Sequence, residues 1–220
     1  MRVAFLFDND GVLIDSSDLH WLSWQLFMQE EPSLRMEKND FIHSFGKRND
    51  LILKDLVPDI SPEKRKNWAD RKEELFRQIA QGRLSLLPGM EIFLKNVLEA
   101  KIPHIIASST PVENLEMFLK NTVLGHYFQH FVSAEEVAHG KPAPDIFIAA
   151  AHYLGFEPHE CIVFEDAPAG IEAGKAAGCF VVALETTHFK DQLSNYDLLY
   201  PSAHALNLEE ILHAFTLWQT

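Results

Sequence analysis

Two cysteines in 220 residues, Cys161 and Cys179, leave no basis for a disulfide framework. Both stand in apolar surroundings and read as reduced core residues of a cytoplasmic protein. Long apolar runs are missing as well. None approaches the roughly 20 residues that a membrane helix needs, and the first apolar run is too short and too soon followed by acids to be a secretory signal. Basic residues are scarce: 19 Lys and Arg stand against 32 Asp and Glu, for a formal charge of −13. Such a chain repels polyanions, so nucleic acid and anionic membranes are poor partners, while a small anionic substrate needs a locally positive site. No internal repeat or low-complexity segment is present. At 47% hydrophobic and 23% charged, the composition is that of a globular protein. Its length suits one large domain, or a core with a modest insertion, and monomer is the simplest assembly.

The most informative segment is Val3-Ala4-Phe5-Leu6-Phe7-Asp8-Asn9-Asp10-Gly11. Five apolar residues without a polar break read as a fully buried strand. The strand ends at two carboxylates that alternation places on one side of an extended chain, and Gly11 lets the backbone turn at once. Two like charges at the end of a buried strand are costly unless a cation sits there, and oxygen ligands suit Mg²⁺.

Helices are predicted over 20–30, 51–57 and 62–80, the last with Ser61 as N-cap and Pro62 at the first helical position. About seventy residues after the first strand thus hold helices and no strand, which reads as an inserted helical subdomain. Alternation then resumes, with strands over 102–107, 131–132, 161–164 and 180–184. Helices are predicted over 90–100, from a Thr110-Pro111-Val112-Glu113 capping box to Lys120, and over 144–154, 168–177 and 206–214. The fold class is α/β: a Rossmann-like parallel sheet core, 1–15 and 87–220, with a helical cap over 16–86. In such sheets ligands bind beyond the carboxyl ends of the strands. Ser108, Ser109 and Thr110 fall there and lead into a helix N-terminus that favours an anion. Glu165 and Asp166 form a second carboxylate pair at a strand end, and Lys141 is an ammonium in a proline-stiffened loop.

Four segments in this order, 7–16, 105–110, 140–147 and 163–171, resemble the haloacid dehalogenase superfamily of aspartate-nucleophile phosphotransferases. The resemblance covers essentially the whole chain. It implies that Asp8 attacks phosphorus and that Asp10 carries the proton, the two pKa values being pushed apart. Ser108 then binds the phosphoryl oxygens and Lys141 neutralises them. Mg²⁺ is held by Asp8, the Asp10 carbonyl and Asp166, with Glu165 behind. A carboxylate at Asp10 favours phosphoryl chemistry over dehalogenation. Within the superfamily the chain is similar to β-phosphoglucomutases and to sugar-phosphate phosphatases that share their cap. His20 and Trp24 stand on the first cap segment as in the mutases, and with Ser109, Lys47 and Arg48 they are the substrate-binding candidates. Two departures favour hydrolysis: Pro111 and Val112 occupy the place of the mutases' Lys-Asn pair, and Arg48 or Lys47 only approximates their cap arginine. The expectation is therefore a Mg²⁺-dependent phosphatase of a small phosphorylated metabolite, with the mutase as the alternative. A non-catalytic role finds no support, since no catalytic position is missing.

Overall fold

A computed structural model describes residues 2–220. In chain order it runs β1 (Ala4–Phe7), α1 (Ser17–Glu30), α2 (Lys38–Ser44), α3 (Asn49–Leu56), α4 (Pro62–Ala80), α5 (Met90–Glu99), β2 (His104–Ala107), α6 (Val112–Asn121) and α7 (Leu124–Tyr127). It continues through β3 (Phe131–Val132), α8 (Asp145–Tyr153), β4 (Cys161–Glu165), α9 (Pro168–Ala177), β5 (Phe180–Leu184), β6 (Leu198–Tyr200) and α10 (Leu208–Trp218). The six strands form one parallel sheet in the order β3-β2-β1-β4-β5-β6.

The central strand shows why. All four residues of β1 are buried, and alternation sends them to opposite faces. Phe5 and Phe7 join one apolar cluster with Phe93, Phe118, Phe164 and Phe215, while Ala4 and Leu6 join another with Ile105, Phe147 and Val163. Both faces are thus covered by helices, as a parallel sheet requires. Phe7 pairs with Ile106 of β2 and Phe164 of β4. Asp8 and Glu165 therefore stand level with Ala107, and Ser108 follows one residue on at the same end of the sheet. Between β1 and α5, helices α1 to α4 enclose a third cluster around Trp24, Phe27, Phe41, Leu53 and Trp68.

Several sequence expectations are corrected here. Helix α2 and strand β6 escaped notice because each is short. The helices predicted from 20, 51 and 206 begin at Ser17, Asn49 and Leu208 instead. The Thr110 capping box does not form: Pro111 is the N-cap of α6, and the Thr110 hydroxyl donates to Asp10 Oδ2. Thr110 thus lies one residue before the cap, where its hydroxyl serves a carboxylate as a donor instead of accepting from the first turn. The Ser61 cap is borne out, its hydroxyl accepting from the Lys64 amide at 3.2 Å.

Asn9 is a local conflict in this frame. It is wholly buried, and neither amide atom of its side chain has a hydrogen-bond partner among the described residues. Burying such a group costs about 1–3 kcal/mol. Asn9→Leu keeps the branching at Cγ and removes both orphaned atoms. It is expected to raise the free energy of unfolding by about 1–3 kcal/mol in urea titrations, and a lowered midpoint would refute this reading.

Candidate functional site

The turn after β1 builds the site. The amides of Leu13 and Ile14 both donate to the Asn9 carbonyl at 2.9 Å, closing a tight loop around Asp10. Gly11 has φ +82°, and a Cβ there would collide with the Asp166 carboxylate. Only glycine allows that turn and that approach together.

Asp8 and Asp10 stand two residues apart yet keep different company. Asp8 faces the core loops. The Lys141 ammonium lies 2.7 Å from Asp8 Oδ1 and 2.6 Å from Glu165 Oε1, with all three side chains buried. Glu165 Oε2 accepts the amides of Asp166 and Ala167 at 2.9 and 3.1 Å. Both Glu165 oxygens are thus engaged in holding Lys141 and shaping the loop. Burial pushes the Asp8 carboxyl up to about 7, since the neighbouring Lys141 does not offset it against Glu165 and Asp10. Burial and Glu165 likewise hold the Asp166 carboxyl well above its usual range. Lys141 is raised as well: its two carboxylates outweigh burial and keep it protonated.

Asp10 faces the helical insertion. Its Oδ1 accepts from Ser16 Oγ at 2.5 Å and lies 3.1 Å from His20 Nε2, and its Oδ2 takes the Thr110 hydroxyl. Lys72 Nζ sits 2.6 Å from His20 Nδ1. An ammonium can only donate, so His20 accepts at Nδ1 and donates through Nε2 to Asp10. Lys72 is tied to Glu73 at 2.9 Å, and Glu73 accepts at 2.5 Å from each of Asn49 and Asn114. Burial would raise the Asp10 carboxyl, but His20, Ser16 and Thr110 prevail and hold it below the usual carboxylate range. The pKa values are indeed pushed apart, but in the reverse of the expected sense, because Asp8 sits among acids and Asp10 among donors.

Asp8, Glu165 and Asp166 each offer an oxygen, the three lying within 4.8 Å of one another. Asp166 Oδ2 accepts from Thr186 at 3.1 Å and from the Thr187 hydroxyl, whereas Oδ1 is buried with no partner among the described residues. An orphaned carboxylate oxygen in a cluster of three acids with one ammonium fits a hard divalent cation. Asp8 and Asp166 have the free donors for it.

Over the carboxylates opens a cavity of about 860 Å³ between insertion and core. Ser108 and Ser109 line its floor, and the Ser109 hydroxyl is buried and unpartnered among the described residues. Lys47 and Arg48 line the wall but face Asp55 at 3.6 Å and Asp50 at 2.9 Å. Trp24 packs in the insertion's core, with the Lys72 ammonium over its ring. Arg77 of α4 also lines the cavity and donates to Asn114 Oδ1 at 2.8 Å, and among the described residues no carboxylate pairs with it. Sequence reasoning missed Ser16, Lys72, Glu73, Asn114, Arg77, Thr186 and Thr187, and read Thr110 only as the start of a helix. Ser16 and Thr110 lie in segments already singled out; the others carry no local signal.

The model of a known family, described as haloacid dehalogenase-like hydrolase, matches residues 5–184. Hexitol phosphatase A of Escherichia coli K12 is 32% identical over 207 residues, covering 93% of each chain. Validoxylamine A 7'-phosphate phosphatase of Streptomyces hygroscopicus is 37% identical over 210 residues, covering 90% of this chain and 93% of its own. Among solved structures, the β-phosphoglucomutase of Clostridium difficile superposes with a TM-score of 0.88 at 25% identity, over 100% of this chain and 99% of that one.

Proposed function

This chain belongs to the haloacid dehalogenase-like hydrolases, and we propose that it is a Mg²⁺-dependent phosphatase of a sugar or polyol phosphate, working through an aspartyl-phosphate on Asp8. One observation carries the reading: two carboxylates on one strand end have separate partners. Asp8 meets only Lys141 and other acids, while Asp10 is gripped by Ser16, His20 and Thr110. A nucleophile and a proton carrier need that segregation. Residues 16–86 act as the cap and the remainder as the core.

Asp8 attacks phosphorus in line while Asp10 gives its proton to the leaving alcohol, then takes one from the attacking water. Ser108 and Ser109 donate to the phosphoryl oxygens, and Lys141 neutralises charge from below. The cation, held by Asp8 and Asp166, with the Asp10 carbonyl as a third ligand, supplies charge neutralisation for the dianion. A cation there would lower the Asp8 pKa and a bound dianion would raise that of Asp10, each moving toward the order that catalysis requires. Arg77, which no carboxylate among the described residues neutralises, stands in the cavity wall to meet the rest of a small anionic substrate, in a chain otherwise repellent to anions. Two buried free thiols suit a reducing, cytoplasmic setting. Among the described residues no helix is long and apolar enough to cross a membrane.

Hydrolysis of p-nitrophenyl phosphate is expected to fall at least about 10²-fold in EDTA and to return with Mg²⁺. Activity that survives chelation would overturn the reading. Hexose, pentose and alditol phosphates, assayed for free phosphate, then define the substrate. Glucose 6-phosphate formed from β-glucose 1-phosphate without phosphate release would mark the mutase instead.

A further inference from the structure

The loop after β5 carries polar residues that the chemistry above does not use. Thr186 Oγ1 donates to the Gly11 carbonyl at 2.6 Å, and both threonines hold Asp166 Oδ2. Next to them His188 is 2% exposed. Its Nδ1 lies 3.0 Å from the Asp166 carbonyl and 3.1 Å from Thr187 Oγ1, and its Nε2 lies 2.9 Å from the Ile42 carbonyl in α2. A neutral imidazole has a single N–H, so the ring donates to one of these two carbonyls and only packs against the other, and in that way it spans from the loop of a cation-binding carboxylate to the cap. The packing around it agrees. A Cβ on Gly46 would collide with that of Ala167, and the Arg48 side chain lies over Gly140, beside Lys141. The cap meets the core at the loops that carry Asp166 and Lys141.

We infer that His188 is a positioning residue that couples closure of the cap to occupancy of the carboxylate cluster. The inference rests on residues 16–86 being the cap and on Asp8 and Asp166 holding Mg²⁺. A ligand on Asp166 Oδ1 steadies the loop whose carbonyl faces His188, and His188 in turn keeps its hold on Ile42. Opening the cap breaks that contact and loosens the same loop. Linkage makes the effect reciprocal: whatever Mg²⁺ does for closure, closure does for Mg²⁺.

Hydrogen exchange of amides 38–44, with and without Mg²⁺ alone, tests this on the full chain. Mg²⁺ is expected to slow their exchange about fivefold or more in the wild type, the low end of allosteric coupling. His188→Asn places an amide where Nδ1 stands but cannot reach Ile42, whereas His188→Gln places one where Nε2 stands. H188N should lose the slowing and H188Q should keep most of it, while Mg²⁺ raises Tm in all three. Slowing that persists in H188N overturns the inference. So does a wild type whose Tm rises with Mg²⁺ while exchange at 38–44 is unchanged, an arm that stands even where H188N fails to fold. No Tm rise in the wild type removes the metal reading, and the coupling with it.

Discussion

Asp8→Asn should abolish turnover while leaving the fold intact, and at pH 8 without Mg²⁺ it should make the protein more stable. An amide cannot form the acyl-phosphate, and loss of an attacking group costs roughly 10⁴-fold or more in kcat, about 5 kcal/mol of transition-state stabilisation. The stability effect follows from linkage. Burial, with Glu165 and Asp10 beside it, raises the folded pKa of Asp8 to about 7 despite Lys141. A carboxyl whose folded pKa lies above its unfolded value favours the fold while protonated, below about pH 4. That contribution fades as pH rises through the interval up to about 7, beyond which the ionised group opposes folding. Asparagine is neutral throughout, so metal-free D8N should have the higher Tm at pH 8 and a smaller advantage at pH 5. Mg²⁺ should then raise the wild-type Tm more than that of D8N, because it compensates a charge the variant lacks. Measurable single-turnover phosphate release by D8N would exclude Asp8 as the nucleophile. A D8N Tm below wild type at pH 8 would show that the Lys141 pair outweighs the desolvation of Asp8.

What the sequence made legible here is what lies close together along the chain. Val3 to Phe7 is buried on both faces, so it is uniformly apolar, and its sudden end at Asp8 marks the mouth of the sheet. Lys141 and Asp166 could be placed because each follows its own local pattern at a strand or helix boundary. The partners of Asp10 could not all be found this way. Thr110 lies 100 residues from Asp10, Lys72 lies 52 from His20, and His188 lies 146 from Ile42. Such contacts are made by the packing of the insertion on the core, and a polar residue with one distant partner has no periodicity to betray it. Thr110 even carries a false local signal: Thr-Pro-Val-Glu reads as a capping box, yet the helix starts one residue later with Pro111 as its N-cap, and the hydroxyl donates to Asp10. The short elements α2 and β6 fall below the window in which periodicity can be counted. The pKa order that the protein's own groups give the two aspartates is illegible for a related reason: it is set by neighbours from four other segments, Ser16 to His20, Thr110, Lys141 and Glu165.

Lys141→Met is the most damaging single change that the structure suggests. The ammonium is fully buried between Asp8 and Glu165 at 2.7 and 2.6 Å and lies over the Phe147 ring. Methionine reproduces the apolar stem up to the last atom, so the ammonium is what the substitution removes. Stripping one partner from a buried ion pair costs about 3–5 kcal/mol, because the partner stays behind unpaired. Here two carboxylates stay behind, with Asp166 close to both. Loss of the ammonium raises the folded pKa of Asp8 further, so the cluster relaxes by taking up a proton. By the linkage sign worked out for Asp8, the loss should therefore deepen as pH rises, being mild near pH 5 and severe at pH 8. Mg²⁺ should recover part of the Tm, since a divalent cation can meet the same carboxylates. It should not recover the rate, expected to fall about 10²–10³-fold with the ammonium that the proposed chemistry sets against the transferring group. A K141M protein whose Tm falls equally at pH 5 and pH 8 would show that Lys141 acts through packing. One that regains full turnover with Mg²⁺ would remove it from the chemistry and leave neutralisation to the cation.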